Sequence, residues 1–371
     1  MKAIFKREVK NYFKNPVYWI GMVLVILMVY QMVSPFLAVR YFQTEEEITE
    51  QEIGEDTDLD IMQGYVLSTK EQQIEIGLAM LEQAMENYKE NERKGEPNYI
   101  YWESTEEDPK RIIQEVREQN FSEILDTEIY LEEQYQIWGS SYYFEEALYH
   151  RGDMEEVNSY LEGKLEEHPY SYYFSRKFAD FAGLVISFFA VVLLAFLFLR
   201  DTRKDIYELL HTKPIKAKSY VIGKIAGGMT AIMIVLIILN LIFGSLCIVH
   251  ARQEGLPVSA FDFLFATAVY IVPNMMMIVC VYAAVSILFK NPLPATPLLF
   301  LYIVYSNMGS KNAQGDYGYF GRPFAIMVRF PGTFLDTTPP PLVLWNQSFL
   351  VIASIVLICL TIMVFKRRRF Y

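Results

Sequence analysis

Cysteine and histidine are scarce in this sequence, and the motifs that would make it a catalyst in its own right are missing. Its 371 residues include three cysteines and four histidines. The cysteines, Cys247, Cys280 and Cys359, stand in apolar runs and form no CxxC pair. The histidines, His150, His168, His211 and His250, have no partner at metal-ligand spacing, and there is no HExxH. A G-x-S-x-G nucleophile elbow is also missing. Neither Gly-Lys pair, Gly163-Lys164 or Gly223-Lys224, has the earlier glycine that a phosphate-cradling loop needs, so the chain is not expected to hydrolyse ATP by itself. Asp56-x-Asp58-x-Asp60 opens like a calcium loop. Ile61, however, stands where glycine is required and Leu67 where a bidentate glutamate is required, which excludes an EF-hand.

Charge is missing from long stretches as well. Runs 17–39, 181–199, 225–249, 263–289 and 342–365 contain no charged residue, and each is about as long as a transmembrane helix or longer. A sixth run, 293–308, is shorter and carries Pro294 and Pro297. The formal net charge of −11 is divided unevenly. Residues 41–175 hold 35 Asp/Glu against 9 Lys/Arg, while the rest of the chain holds 9 against 24. That division excludes a soluble enzyme of average composition, a nucleic-acid binder driven by overall charge and a disordered chain.

The expected fold is an all-α polytopic membrane protein. It has six transmembrane helices and a large, mainly helical extracellular domain between the first and second spans. The spans are 17–39, 178–199, 220–249, 262–289, 293–308 and 342–365. Lys and Arg in short flanks set orientation. Lys2, Lys6, Arg7, Lys10 and Lys14, the 200–219 connector and the 366–371 tail all fall on one side, so both termini are expected in the cytoplasm. The acidic domain, 40–177, then lies outside, with the loop 309–341, which is apolar enough to dip back into the membrane. Residues 1–16 read as an interfacial amphipathic helix with Ile4, Phe5, Val9, Tyr12 and Phe13 on one face. The first apolar run is too long for a signal-peptide core, and no cleavage site follows it.

Within the acidic domain Ile74, Leu78, Leu81, Met85 and Tyr88 form one helical stripe. Asp108-Pro109 and Asp153 read as helix starts, and Gly95–Asn98 and Gly139–Ser141 as breaks. Its lack of cysteine fits a bacterial cell-surface protein better than an animal receptor. Its acidity reads either as solubility or as attraction for cationic ligands.

The spans place no ionisable residue near their middles, where transporters coupled to ion gradients keep them. Asp180, Lys224 and Asp262 fall at span ends, with Lys224 expected to reach the interface. The mid-span polar groups are neutral. Asn240 and Asn274 are the candidates for a translocation path, although Asn274 beside Pro273 reads first as a kink in a packed helix and only second as a substrate contact.

The connector from Arg200 to Lys224 opens with charges, then runs Asp205, Ile206, Tyr207, Glu208, Leu209, Leu210, and breaks at Pro214. It reads either as a basic topogenic loop or as a short amphipathic helix for a groove on a soluble partner. It resembles the connector between the second and third spans in permeases of the ABC-2-type exporter family, the membrane subunits that carry no ATPase domain of their own. The resemblance lies in Tyr207-Glu208-Leu209-Leu210, Pro214-Ile215-Lys216 and Gly223-Lys224. The chain departs from the family pattern at Asp205-Ile206, where Gly-Thr is usual.

The resemblance implies a cytoplasmic ABC ATPase subunit docked on Asp205, Tyr207, Glu208, Leu209, Leu210 and Pro214. It implies ATP and Mg bound at that partner with no cofactor on this chain, and a second permease in a homodimer or heterodimer. The expected role is ATP-driven export of a peptide, lipid or other amphiphile, with antimicrobial-peptide efflux or immunity among the options. The expected setting is the bilayer of a bacterial plasma membrane, with no nucleic acid. A membrane sensor or scaffold that binds a ligand without transport is the alternative.

Overall fold

The computed structural model describes residues 2–49, 61–103, 105, 107–199, 216–311, 317–318 and 321–368. The chain divides into two compact units, Met1–Arg40 with Lys164–Tyr371, and Tyr41–Gly163.

Five helices of the first unit are long and apolar enough to cross a membrane: Pro16–Ala38, Tyr170–Phe196, Ala217–Gln253, Phe261–Phe289 and Val343–Arg367. The first starts where Asn15 accepts from the Val17 N–H at 3.1 Å and Pro16 takes the opening position, where its missing N–H costs nothing. Val25, Val29 and Val33 face inward, while Ile20, Val23, Leu24 and Leu27 are exposed apolar surface. Val343–Arg368 likewise leaves Leu344, Trp345, Ile352, Ile355 and Met363 uncovered. In water such faces would be unstable; against lipid they need no other partner.

The sixth expected segment forms the helix Ala295–Asn307, of 13 residues. At 1.5 Å per residue it is about 20 Å long, too short to cross a hydrocarbon core of about 30 Å alone. The stretch 321–340 is irregular yet largely buried: Ala325, Ile326, Met327, Val328, Phe330 and Phe334 are all inside. Irregular backbone is tolerated there only if its polar groups find partners. Several do. Asn346 Oδ1 accepts from Phe324 N at 2.7 Å and its Nδ2 donates to the Arg322 carbonyl at 2.8 Å. Ser306 Oγ accepts from Ile326 N at 2.9 Å, and Tyr302 donates to the Phe324 carbonyl.

The N-terminal helix Lys2–Phe13 packs on Ala217–Gln253. Its buried face carries Tyr12 and, unexpectedly, Glu8, with Ile4, Phe5 and Val9 half-buried, while Lys2, Lys6 and Lys10 remain exposed. Two glycines make the seat, because a Cβ on Gly227 would lie 2.6 Å from Glu8 Cβ and one on Gly228 3.2 Å from Tyr12 Oη.

The second unit is a small helical domain built on Lys70–Lys94, Pro109–Glu118, Ile124–Tyr135, Ser141–Glu146 and the start of Met154–Glu167. Thr69 and Gln72 form a reciprocal capping box at the first of these, and Gly95 closes it in the left-handed conformation, φ +72. Ile74, Leu78, Leu81 and Met85 meet Ile112, Ile113, Val116, Leu131, Ile137 and Phe144 in one core. A Cβ at Gly77 would come 2.3 Å from the Phe144 ring, so glycine lets that ring lie on the helix. Two short antiparallel ribbons tie distant segments, 65–67 with 149–151 and 101–102 with 137–138. Leu81 is fully buried, and Leu81→Ala is expected to destabilise this domain by about 2–5 kcal/mol, read as a lower thermal midpoint.

Cross-links such as Lys70–Glu123 at 2.7 Å and Arg117–Glu75 at 2.8 Å are exposed and contribute little. The excess acid is felt locally: burial, and then Glu132 and Glu145, raise the Glu128 carboxyl above its usual range.

Candidate functional site

Proline at 273 shapes the centre of the membrane unit. It has no N–H, so the helix cannot make its regular bond at that residue. Between Phe261–Ala266 and Val272–Phe289 the chain passes through a π-turn, Thr267–Ile271, in which the Val272 N–H reaches five residues back to the Thr267 carbonyl. Such turns insert one residue into a helix and are common at functional positions. Asn274, 1% exposed, donates from Nδ2 to the Tyr270 carbonyl at 2.7 Å, but its Oδ1 has no hydrogen-bond partner among the described residues.

One side of the kink faces helix Ala217–Gln253 across an apolar cavity of about 350 Å³. Asn240 stands in its wall beside Leu236, Ile237, Leu241, Phe263 and Leu264. Its Oδ1 accepts from Thr267 Oγ1 at 2.9 Å and its Nδ2 donates to the Leu236 carbonyl at 2.8 Å. The other side faces Val343–Arg368 across a second cavity, about 390 Å³, lined by Val269, Pro273, Leu344, Gln347 and Val351. Gln347 is 5% exposed, and neither its oxygen nor its nitrogen finds a hydrogen-bond partner among the described residues. Leaving such a group buried and unpaired costs about 1–3 kcal/mol. Three amides thus surround one kink in an apolar setting. They can donate to and accept from polar groups, but, having no titratable proton, they cannot act as acid or base. Among the described residues no group of three or more His, Cys, Asp or Glu gathers at metal-binding distance.

A second constellation was not expected. Helix Tyr170–Leu199 carries Arg176, Lys177 and Asp180, and together they hold the buried segment after Arg322. Asp180 is 3% exposed; it accepts from the Arg329 guanidinium and from Phe330 N at 2.9 Å. Arg329 also donates to Asn307 at 2.7 Å. Lys177, 1% exposed, donates to the Gly332 carbonyl at 2.8 Å, and Arg176 donates to the Thr337 carbonyl at 2.7 Å. From the sequence Asp180 falls at a span end, with nothing nearby in the chain to mark Arg329 as its partner. A lone arginine inside the apolar stretch from Phe324 to Phe334 was the signal that could have paired them.

Lys224 also departs from expectation. It does not reach outward: it is 5% exposed, and its ammonium sits 4.5 Å over the Phe198 ring, a cation–π contact. The connector residues Asp205, Tyr207, Glu208, Leu209, Leu210 and Pro214 lie outside the described residues, as do Asp56, Asp58 and Asp60.

The acidic domain contains an arrangement that imitates a hydrolase. Ser68 Oγ lies 2.9 Å from His150 Nδ1, and His150 Nε2 lies 3.1 Å from Glu156 Oε1. The Ser68 hydroxyl, however, is buried and donates to the Ala147 carbonyl at 2.8 Å, so its proton is committed to the backbone. The group pins the 65–67/149–151 ribbon to helix Met154–Glu167, which carries Glu156.

The family model described as "ABC-2 family transporter protein" matches residues 2–369. No curated protein and no solved structure matches the chain.

Proposed function

Since the chain belongs to the ABC-2 transporter family, we propose that it is the permease subunit of an ATP-driven exporter of amphiphilic molecules, peptide or lipid, with antimicrobial-peptide efflux or immunity as the biological setting. The match across nearly the whole chain carries this reading. ATP and Mg bind to a separate ATPase subunit, and that subunit docks on the 200–219 connector through Asp205, Tyr207, Glu208, Leu209, Leu210 and Pro214. A second permease completes the complex. The bases of the N-terminal helix, the connector and the C-terminal tail lie in the cytoplasm, and the acidic domain lies outside a bacterial plasma membrane.

The amide-lined kink is the proposed substrate path. Its cavities are apolar, with Asn240 in the wall of one and Gln347 in the wall of the other, and Asn274, next to Pro273, keeps a carbonyl oxygen without a partner among the described residues. A substrate with an apolar body and amide or hydroxyl groups fits such a path; a bare ion does not. Closing of the ATPases would move the connector, and with it the helices on either side, Tyr170–Leu199 and Ala217–Gln253.

Uptake into inside-out vesicles that hold the permease with its ATPase tests the reading. ATP-dependent uptake of an amphiphile is expected, and Glu208→Ala or Leu209→Ala should abolish it while the protein stays folded. Gln347→Leu is expected to leave thermal stability unchanged or raise it, because an unpaired buried amide is removed, and to lower uptake. Ligand binding with no ATP-dependent uptake would identify a sensor instead, and full coupling in both connector variants would remove the docking helix.

A further inference from the structure

The ribbon 101–102/137–138 has two chemically different faces. Its inner face, Trp102 and Ile137, is buried in the domain core at 3% and 0% exposure. Its outer face pairs Tyr101 with Trp138, which stay 60% and 38% exposed with ring centroids 5.6 Å apart. Tyr99, two residues earlier and also exposed, stacks on Tyr142 with centroids 4.1 Å apart and planes 8° from parallel. Gly139 makes this approach possible, because at φ +84 a Cβ there would meet the Tyr99 carbonyl oxygen at 2.6 Å. Single exposed apolar residues, such as Leu125, Ile129 and Leu148 of the same domain, need no explanation; two ring pairs on one short ribbon and the residues that flank it do.

The surroundings of the rings are acidic. Glu103 follows the ribbon, and Glu146 lies on the helix that carries Tyr142. Burial and then the Glu146 charge raise the Tyr142 phenol above its ordinary value. The whole unit, 41–163, holds 33 Asp/Glu against 8 Lys/Arg. A field of this sign concentrates cations near the surface. Ring faces then hold guanidinium or ammonium groups at short range, and the same rings take up apolar side chains.

We infer that the Tyr99–Tyr101–Trp138–Tyr142 face is a binding site for cationic amphiphilic peptides. Both halves of such a ligand are needed. A neutral oligosaccharide would use the rings and ignore the carboxylates, and a simple cation would use the carboxylates and leave the rings unused. The site needs neither ATP nor the partner subunit, so it stands or falls separately from the export reading.

The test uses the full-length protein in mild detergent and a fluorescent peptide of alternating arginine and leucine. Binding without nucleotide is expected, weakening as salt rises. The Tyr101→Ser/Trp138→Ser double variant should bind on the order of tenfold more weakly. Tyr101→Phe/Trp138→Phe, which keeps the rings, should bind like the parent, and an unchanged thermal midpoint of each variant shows that the domain has kept its fold. Three results overturn the inference: equal binding by the serine variant, equal binding of a glutamate–leucine peptide, or preferential binding of a neutral oligosaccharide or of zwitterionic lipid vesicles.

Discussion

Asp180→Ala is expected to yield little folded protein, with a melting transition far below the parent's. The carboxylate lies ten residues into helix Tyr170–Leu199, where its side chain is 4% exposed. It answers two donors at once, the Arg329 guanidinium and the Phe330 N–H. Alanine would leave the guanidinium with Asn307 as its remaining described side-chain partner, and would leave the Phe330 N–H without its acceptor. Breaking a buried pair by removing one partner costs about 3–5 kcal/mol, a large part of an ordinary domain's total stability of about 5–15 kcal/mol. Asp180→Asn keeps the shape and one acceptor and should fall between the two. Arg329→Lys keeps the charge but loses the planar fork, and should also destabilise. Thermal unfolding in detergent distinguishes these cases, and a parent-like midpoint for Asp180→Ala would remove the lock from the structure.

Gly227→Leu is expected to have the next largest effect and to act on the N-terminal helix. The space above Gly227 is already filled by Glu8, whose Cβ lies 2.6 Å from where a new Cβ would stand. Backbone atoms of two packed helices must then separate, and overpacking of this kind costs about 1–3 kcal/mol. Displacement of Lys2–Phe13 is the cheapest relief, since its opposite face is exposed. Limited trypsin digestion reports it: cleavage at Lys6, Arg7 and Lys10 should become rapid in Gly227→Leu. In Gly228→Ala it should rise less, because the nearest atom there is a tyrosine hydroxyl 3.2 Å away that can swing aside. A digestion pattern identical to the parent's would mean that the glycine seat does not hold the helix.

Local features of this chain were legible in its sequence. Uncharged runs announced the five long helices, since charge in lipid is costly enough to be kept out. Periodicity announced the acidic domain: Ile74, Leu78, Leu81 and Met85 all reach the core, and the helix that Asp153 starts buries Val157, Leu161 and Leu165 at helical spacing. The caps followed from side-chain chemistry, with Asp108 accepting from Lys110 N at 3.2 Å and Asp153 from Glu156 N at 2.9 Å. Asn240 and Asn274 were visible as polar atoms in apolar runs.

Features made by pairing across distance were not legible. Asp180 and Arg329 are 149 positions apart, and no spacing rule links them. Gln347 lies near the start of the 342–365 run, and nothing in its spacing marks it. Its significance comes from the helix it faces, whose register is set by Pro273. The 65–67/149–151 ribbon joins segments too short to be read as strands without their partners. Burial of Lys224 depends on a ring from another helix. The aromatic platform was hidden for a related reason: alternation over two residues cannot say which face of a ribbon is left in water.

The π-turn at Thr267–Ile271 has a consequence for movement. It holds one residue more than the same stretch of α-helix would. Passing that residue along the helix is a change of angular phase, since one residue corresponds to about 100° of rotation. If the turn tightened to α, everything before it would swing by that amount. Thr267 would leave Asn240, and Phe263 and Leu264 would exchange cavity wall for lipid or the reverse. Such a rotation of a single helix would change what the cavity presents without any change in how far apart the neighbouring helices stand.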